Sequence, residues 1–277
     1  VLAYTLQLYF DFSGYSDMAI GLSKMLNVDL PLNFNSPYKS TNIAEFWRRW
    51  HMTLSRFLRD YLYIPLGGNR KGPIRRYANL LTTMLLGGLW HGAGWTFVIW
   101  GGLHGLYLVI NQLWQTARER FFGHDLSRSS RLGRVVSVLL TFICVVVAWV
   151  FFRATSLDAA ANVLKGMIGF HGMALLIEWR AFFDMKISWA NAWFSFAPLD
   201  AFSGIRQLGW TVLLLAIVWL CPNSQTLIER ARRGRLALYF SHERWAWMSL
   251  GGFAVTLFLL AAINGSHGAS EFIYFNF

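Results

Sequence analysis

Long runs without Asp, Glu, Lys or Arg divide the chain into candidate membrane helices. The longest run, residues 77–117, extends over 41 residues without any of these four residue types. One helix of that length would measure roughly 60 Å, about twice the hydrocarbon thickness of a bilayer. The run therefore predicts a hairpin of two helices. We place its bend at Trp90–Trp95, where Gly92 and Gly94 loosen the helix.

Further apolar runs have the length of single membrane spans. They cover residues 1–25, 135–152, 207–228 and 245–270, and the first is interrupted by Asp11 and Asp17. Residues 157–200 have a mixed pattern with Trp179, Trp189 and Trp193, which is typical of interfacial helices and loops. The pattern predicts an all-α, polytopic transmembrane protein.

Residues 41–63 predict an amphipathic helix that lies at the membrane interface or enters it as a re-entrant piece. Apolar side chains recur at helical spacing, at Ile43, Phe46, Trp47, Trp50, Leu54, Phe57, Leu58 and Tyr61. The opposite side carries Arg48, Arg49, Arg56 and Arg59. Asn42, followed three residues later by Glu45, predicts a capped start of this helix.

Composition agrees with a membrane protein. The chain is 55% hydrophobic and only 14% charged, whereas soluble domains carry about 25% charged residues. Disorder is excluded because it requires low hydrophobicity. The two cysteines, Cys144 and Cys221, both lie in apolar runs, so they predict neither a disulfide framework nor a metal site.

The net charge of +11 is concentrated between the apolar runs. Residues 39–76 contain nine Lys and Arg, and 118–134 and 230–244 contain five Arg each. By the positive-inside rule these segments face the cytoplasm, which puts the C-terminus outside. We interpret the basic residues as determinants of topology and contacts to anionic lipid, not as a nucleic-acid site.

Histidines are the first candidates for chemistry. His91 lies at the bend of the predicted hairpin, and a titratable side chain inside a membrane is a functional candidate by default. An imidazole suits general acid–base catalysis near neutral pH. The alternative is a histidine that bonds a neighbouring helix, but the flanking glycines and tryptophans favour a site, because glycine lets a ligand approach the backbone closely. His51 faces the buried edge of the amphipathic helix, where a structural role is as compatible as a catalytic one. His104 fits a packing or hydrogen-bonding role better.

The chain offers no evident nucleophile of its own, since no serine lies in a Gly-x-Ser-x-Gly motif. A histidine base without an internal nucleophile suits transfer between two bound substrates. The arginines of 41–63, with Arg70 and Lys71, could meet a phosphorylated cytosolic donor, although lipid headgroups explain them more simply. Residues 65–70 predict a turn, not a phosphate loop.

Several motifs carry a resemblance to a known family. They are LYFDFSGYSDMAIG at 8–21, EFWRRWHMTLSRFLRDYLYIPLGGN at 45–69, LLGGLWHGAGWTFVIWGGLHGLY at 85–107, WVFFRA at 149–154 and the terminal FIYFNF. With these motifs the chain resembles the membrane-bound O-acyltransferase family, and within it the bacterial alginate O-acetyltransferase branch. The core of that family is longer at its N-terminus, so we expect residues 1–277 to be one membrane-embedded acyltransferase domain from the C-terminal part of a longer chain.

The resemblance implies a site and a reaction. The family's invariant histidine corresponds to His91, and its second histidine corresponds to His51. The family fold implies transmembrane helices around re-entrant helices, with a central funnel. An acyl group, expected to be acetyl from acetyl-CoA, would leave a cytosolic donor at His91 and reach the outer side of the bacterial inner membrane. A periplasmic hydrolase-like acetyltransferase would then place it on an exported polysaccharide such as alginate.

Other assignments stay open at the level of the sequence. Trp90, Asn69 or the backbone amides of the glycine bend are candidate donors to an oxyanion, and Trp47 and Trp50 are candidate lining residues. Tyr274 of the terminal aromatic motif is either a transient acyl acceptor or an interfacial anchor. The same chemistry would serve teichoic acid D-alanylation, or a lipid or peptide acceptor. A transporter would require paired inverted repeats, and we find none in the sequence.

Overall fold

The computed structural model describes residues 1–122, 130–170, 173–176, 194–197 and 205–232. The helices are α1 (Leu2–Met25), α2 (Ile43–Arg49), α3 (Met52–Leu58), α4 (Gly72–His91), α5 (Trp95–Phe122), α6 (Arg131–Arg153), α7 (Leu157–Met167), α8 (Ile205–Leu220) and α9 (Ser224–Arg232). A 3-10 turn covers Pro37–Lys39, and a π-helical turn covers Arg59–Tyr63. Apart from one parallel ladder of two short strands, β1 (Met173–Leu176) and β2 (Phe194–Ala197), the described elements are helical.

The predicted hairpin is confirmed. Helices α4 and α5 are interrupted only between His91 and Trp95, inside the predicted bend. Away from this bend, Arg76 near the start of α4 donates a hydrogen bond to Gln112 in the second half of α5. The two helices therefore run antiparallel, with the basic residues at one end and His91 at the other.

Glycines let the backbones of α4 and α5 touch. A Cβ atom on Gly88 would lie 2.3 Å from the carbonyl oxygen of Phe97, and one on Gly101 would lie 2.3 Å from that of Met84. No real Cβ approaches a backbone oxygen that closely, so only glycine fits at these two positions. Small residues at such a contact are typical of helix packing in membranes.

The predicted continuous helix over 41–63 is wrong, although its capped start is confirmed. The Asn42 side chain accepts a hydrogen bond from the Glu45 amide at 2.9 Å, and the Glu45 carboxylate accepts one from the Thr41 amide at 2.8 Å. Burial raises the pKa of Glu45, but the hydrogen bonds from Thr41 and the charge of Arg49 outweigh it, so the net pKa is lowered. The helix then breaks at Trp50 and His51, because His51 adopts a left-handed conformation with φ 40°. Periodicity alone gave no signal for this break.

An aromatic core joins the short helices to the hairpin and to α6. Trp50 lies 5.1 Å from Trp149 between ring centroids, and Trp100 stacks on Trp149 at 5.9 Å. Phe46 stacks on Trp50 at 5.7 Å. Because α2, α5 and α6 all contribute to this core, it fixes the break at His51 against the tip of the hairpin.

Among the described residues, α6 is the one single helix that is long and apolar enough to cross a membrane. The pair Leu208–Leu220 and Ser224–Arg230 passes the same test as one span bent by 47°. Helices also occupy the predicted spans 1–25 and 77–117. The predicted span 245–270 lies outside the described residues, as do Trp179, Trp189 and Trp193. The polytopic arrangement around a funnel stays a prediction.

We predict that Gly88→Ala destabilises the protein by at least about 1–3 kcal/mol, the usual effect of forcing extra atoms into a packed contact. The added methyl group collides with the Phe97 carbonyl and forces α4 and α5 apart. Thermal unfolding of the purified protein in detergent measures the change.

Gly102→Ala is the matched control. It lies on the same helix pair, but its added Cβ would meet only the Leu85 side chain, at an ordinary 3.5 Å. Equal unfolding temperatures for the Gly88 and Gly102 variants would contradict the backbone contact.

Candidate functional site

His51 and His91 line the same small cavity. The cavity measures about 10 Å³, which is close to the room that one water molecule needs. Its other walls are apolar and come from α1, α2, α3, α5, α6 and the break before α3, at Leu8, Trp47, Trp50, Leu54, Trp100, Trp149 and Phe152. Two histidines that are far apart in the sequence thus line one small, largely apolar site.

Aromatic edges hold His91 in place. Its ring makes edge-on contacts to Trp90 at 5.0 Å, Trp100 at 5.2 Å and Phe152 at 5.1 Å between centroids. Trp100 belongs to α5 and Phe152 to α6, so both sides of His91 depend on the packing of these helices against the hairpin tip. The polar imidazole of His91 is thus surrounded by aromatic rings.

His51 lies at the helix break, where the segment before α2 braces it. The Asn35 amide donates to the Arg49 carbonyl at 2.9 Å, and the Met52 amide donates to the Asn33 carbonyl at 3.0 Å. These two backbone hydrogen bonds involve residues shortly before and directly after His51 in the sequence. The edge-on ring of Phe12, 4.8 Å away, adds a contact from α1.

Side-chain hydrogen bonds fix the His51 ring. Its Nδ1 lies 3.3 Å from the Asn33 Oδ1 and 3.4 Å from the Thr53 hydroxyl. The Thr53 hydroxyl in turn donates to the Asn33 Oδ1 at 2.6 Å. His51 lies outside the long helices, and burial, with the neighbouring His91, lowers the pKa of His51 to about 4. The ring is therefore neutral at physiological pH.

Trp47 separates this cavity from a larger pocket. Its indole N–H donates to Nδ1 of His104 at 3.3 Å, and His104 is fully buried and stacks on Phe46 at 6.1 Å. The packing and hydrogen-bonding role expected for His104 is confirmed. Its bond to Trp47 holds the wall between the two spaces.

The larger pocket has a volume of about 410 Å³ and carries arginines on its rim. Arg48, Arg56 and Arg59 line it, together with Trp47 and apolar residues of α4 and α5. Arg48 has no carboxylate partner within 4.0 Å in the part of the chain that the structure describes. The arrangement can hold an anionic group at the rim and an apolar chain below it. The described ranges contain no group of three His, Cys, Asp or Glu side chains that could hold a metal ion.

The remaining candidates fall in different places. Trp50 lines the histidine cavity. Trp90 contacts His91, but it is 66% exposed and is not among the lining residues. Asn69 lies in another depression, beside Arg70, and receives a hydrogen bond from the Tyr63 hydroxyl. Tyr274 lies outside the described residues.

Sequence reasoning missed several residues of the cavity. Trp149 and Phe152 were noted as parts of a family motif without a role, yet their i, i+3 spacing puts both on one face of α6. Asn33 carried no signal, because its contact to His51 depends on the helix break.

Comparisons with known proteins match the chain to membrane acyltransferases. The sequence model of the membrane-bound O-acyltransferase family matches residues 1–154. The chain is 53% identical over 174 residues to the peptidoglycan O-acetyltransferase of Helicobacter pylori, covering 63% of this chain and 32% of that protein. It is 54% identical over 169 residues to the "Probable alginate O-acetylase AlgI" of Pseudomonas putida, covering 61% and 33%.

A more distant relative is the teichoic acid D-alanyltransferase of Streptococcus thermophilus, 30% identical over 163 residues and covering 54% of this chain and 39% of that protein. The chain spans about a third of the length of the relatives first named. The family match extends over more than half of the chain and includes both histidines of the cavity. The chain belongs to the membrane-bound O-acyltransferase family.

Proposed function

We propose that the protein is an O-acyltransferase that moves an acetyl group from a cytosolic thioester, acetyl-CoA, towards an exported polysaccharide. One observation carries this proposal: His51 and His91, forty residues apart in the sequence, line one small cavity. A paired imidazole site without a nucleophilic side chain in its lining suits direct transfer between two bound substrates.

His91 is the general base in this reaction. Its imidazole takes the proton of an acceptor hydroxyl, whose oxygen then forms a bond to the thioester carbonyl carbon. The C–S bond breaks, and the leaving thiolate takes the proton from the imidazolium, so that an ester and a free thiol result. A base of this kind contributes about 10²–10⁴-fold to the rate.

Trp100 is our candidate donor to the oxyanion. Trp100 lines the cavity, contacts His91 and is 2% exposed. Its indole nitrogen has no hydrogen-bond partner among the described residues. A buried N–H without a partner is uncommon and calls for an explanation. A substrate carbonyl oxygen, similar in size to the one water molecule that the cavity can hold, would supply a partner.

The arginine pocket is the proposed entrance for the donor. Its rim presents Arg48 and Arg56, which can bind the phosphates of a coenzyme A, and Arg59, which is paired with Asp60 at 2.7 Å. The other walls are largely apolar. Trp47 is shared by this pocket and the histidine cavity. A donor seated in the pocket therefore has its acyl end next to Trp47 and one side chain away from the histidines.

The acceptor is proposed from the relatives. Two relatives share more than half of their aligned residues with this chain. Their names specify O-acetyl transfer to peptidoglycan and alginate. The α4–α5 hairpin has basic residues such as Arg76 at one end and His91 at the other. This polarity supports a path of the acyl group from the cytoplasmic face of the bacterial inner membrane outward. A periplasmic hydrolase-like acetyltransferase then receives the group. We also propose that the C-terminus lies outside, with Tyr274 as a transient acyl acceptor or an interfacial anchor.

D-alanylation of teichoic acid is the second candidate, because the Streptococcus thermophilus relative carries that activity in its name. Its lower identity favours O-acetylation for this chain. The presence of O-acetyl or D-alanyl esters on the cell's polymers separates the two candidates.

We predict that His91→Ala abolishes O-acetylation of the exported polymer, because it removes the imidazole that takes the proton of the acceptor hydroxyl. The whole gene product is expressed in a strain lacking its own copy. Ester content of the polymer and the amount of protein in the membrane are measured together.

His124→Ala is the matched control, since His124 has no assigned role and lies outside the described residues. The control is expected to match the wild type. Unchanged ester content in His91→Ala, at equal protein amounts, would refute the role of His91 as base.

We predict that Arg48→Ala raises the KM for acetyl-CoA about tenfold or more, which corresponds to one lost charge-assisted hydrogen bond. The kcat should change little, because Arg48 does not line the histidine cavity. Initial rates in membrane vesicles with labelled acetyl-CoA measure both constants.

Arg49→Ala is the control for charge. Arg49 lies one residue further along α2 but pairs with Glu45 at 2.7 Å and does not line the pocket. An equal rise in KM for both variants would show that overall charge, and not the pocket, binds the donor.

A further inference from the structure

We infer that Asn33 is a positioning residue: together with Thr53 it keeps the proton of the His51 ring on Nδ1 and leaves Nε2 as the basic nitrogen at the cavity. The inference rests on the proposed function, in which His51 belongs to the acyl-transfer site. No family motif in the sequence pointed to Asn33.

The hydrogen bonds of Thr53 decide which nitrogen carries the proton. The Thr53 amide and hydroxyl both approach the same Asn33 atom, at 3.4 and 2.6 Å. Since an amide N–H can only donate, that Asn33 atom is the oxygen. The Thr53 hydroxyl has one proton, and it is used in the short bond to Asn33.

Two acceptors therefore face Nδ1 of His51. They are the Asn33 oxygen at 3.3 Å and the Thr53 hydroxyl oxygen at 3.4 Å. An unprotonated Nδ1 would face two lone pairs, which is repulsive, whereas an N–H there is shared by both acceptors. A neutral imidazole with its proton on Nδ1 has its lone pair on Nε2.

Asn33 also holds the backbone next to the ring. Its carbonyl accepts a hydrogen bond from the Met52 amide at 3.0 Å, directly after His51. His51 itself adopts φ 40° and ψ 58°, a left-handed conformation that is uncommon for a residue with a side chain. One residue thus supports both the strained backbone of His51 and the protonation pattern of its ring.

The position of this proton determines which nitrogen of His51 is available as a base at the cavity. Nδ1 and Nε2 are on opposite edges of the ring, so the edge away from Asn33 carries the lone pair. His91 is the other titratable side chain that lines this cavity. Nε2 is then the atom of His51 that can accept a hydrogen bond or a proton there. Partners that orient a functional histidine typically contribute about 10–100-fold to its activity.

The test compares Asn33→Ala, Asn33→Asp and Thr53→Val in membranes that contain the whole gene product, with labelled acetyl-CoA as the probe. Asn33→Ala should lower kcat about tenfold or more, with the KM for acetyl-CoA within about twofold of the wild type. Asn33→Asp keeps an acceptor opposite Nδ1 and should recover most of the kcat. Thr53→Val removes one of the two acceptors and should fall between them.

Asn35→Ala is the matched control. Asn35 lies two residues along the same segment, and its side chain accepts a hydrogen bond from Asn223 at 3.0 Å instead of contacting His51. Equal kcat values for the Asn33→Ala and Asn35→Ala variants would overturn the inference. So would an Asn33→Asp variant no better than Asn33→Ala at equal protein amounts.

Nitrogen-15 NMR of histidine-labelled protein gives a readout that does not need activity. The His51 signals, assigned by their loss in His51→Ala, should report a protonated Nδ1 in the wild type and a mixture of tautomers in Asn33→Ala. A protonated Nε2 in the wild type would overturn the inference even if the acyl transfer is confirmed. Conversely, full acyl transfer by His51→Ala would refute the proposed function of the cavity and leave the NMR result as a structural finding.

Discussion

The backbone contact between α4 and α5 is the constraint on which the site depends. Gly88 and Gly101 allow each helix to touch a carbonyl oxygen of the other, and that approach sets where the tip of the hairpin lies. His91 ends α4, and Trp100 lies one turn into α5. A hairpin that opened by the width of a methyl group would move these two side chains apart and would break the aromatic contacts that hold His91.

The second histidine is held by a different physical means. His91 is confined by the edges of aromatic rings, whereas His51 is confined by hydrogen bonds at a helix break. The aromatic core of Trp50, Trp100 and Trp149 joins these two frames. The combination gives a small, largely apolar cavity with two imidazoles. Charge that develops on an acyl oxygen there is poorly screened, so well-placed donors are effective.

Much of this arrangement could be predicted from the sequence, because its signals are local. The charge-free run gave the hairpin and its bend, and Asn42 with Glu45 gave the start of α2. The break at His51 could not be predicted, since periodic apolar positions continue through it and only the tertiary contacts of Asn33 stabilise it. Trp149 and Phe152 were visible as motif residues, but their place in the cavity wall depends on how α6 packs, which the sequence does not show. Asn69 and Trp90 were candidates because they lie in or beside the motifs in the sequence. The structure positions both residues outside the cavity lining.

The central claim is that His51 and His91 act as one unit in acyl transfer. A double-mutant cycle tests it most directly: acetyl transfer is measured for His51→Ala, His91→Ala and the double variant at matched protein amounts. Residues that act as a unit have strongly non-additive effects. The account predicts that the double variant is little slower than the slower single variant. Losses that multiply across the two positions would show two independent sites and would contradict a shared cavity for the reaction.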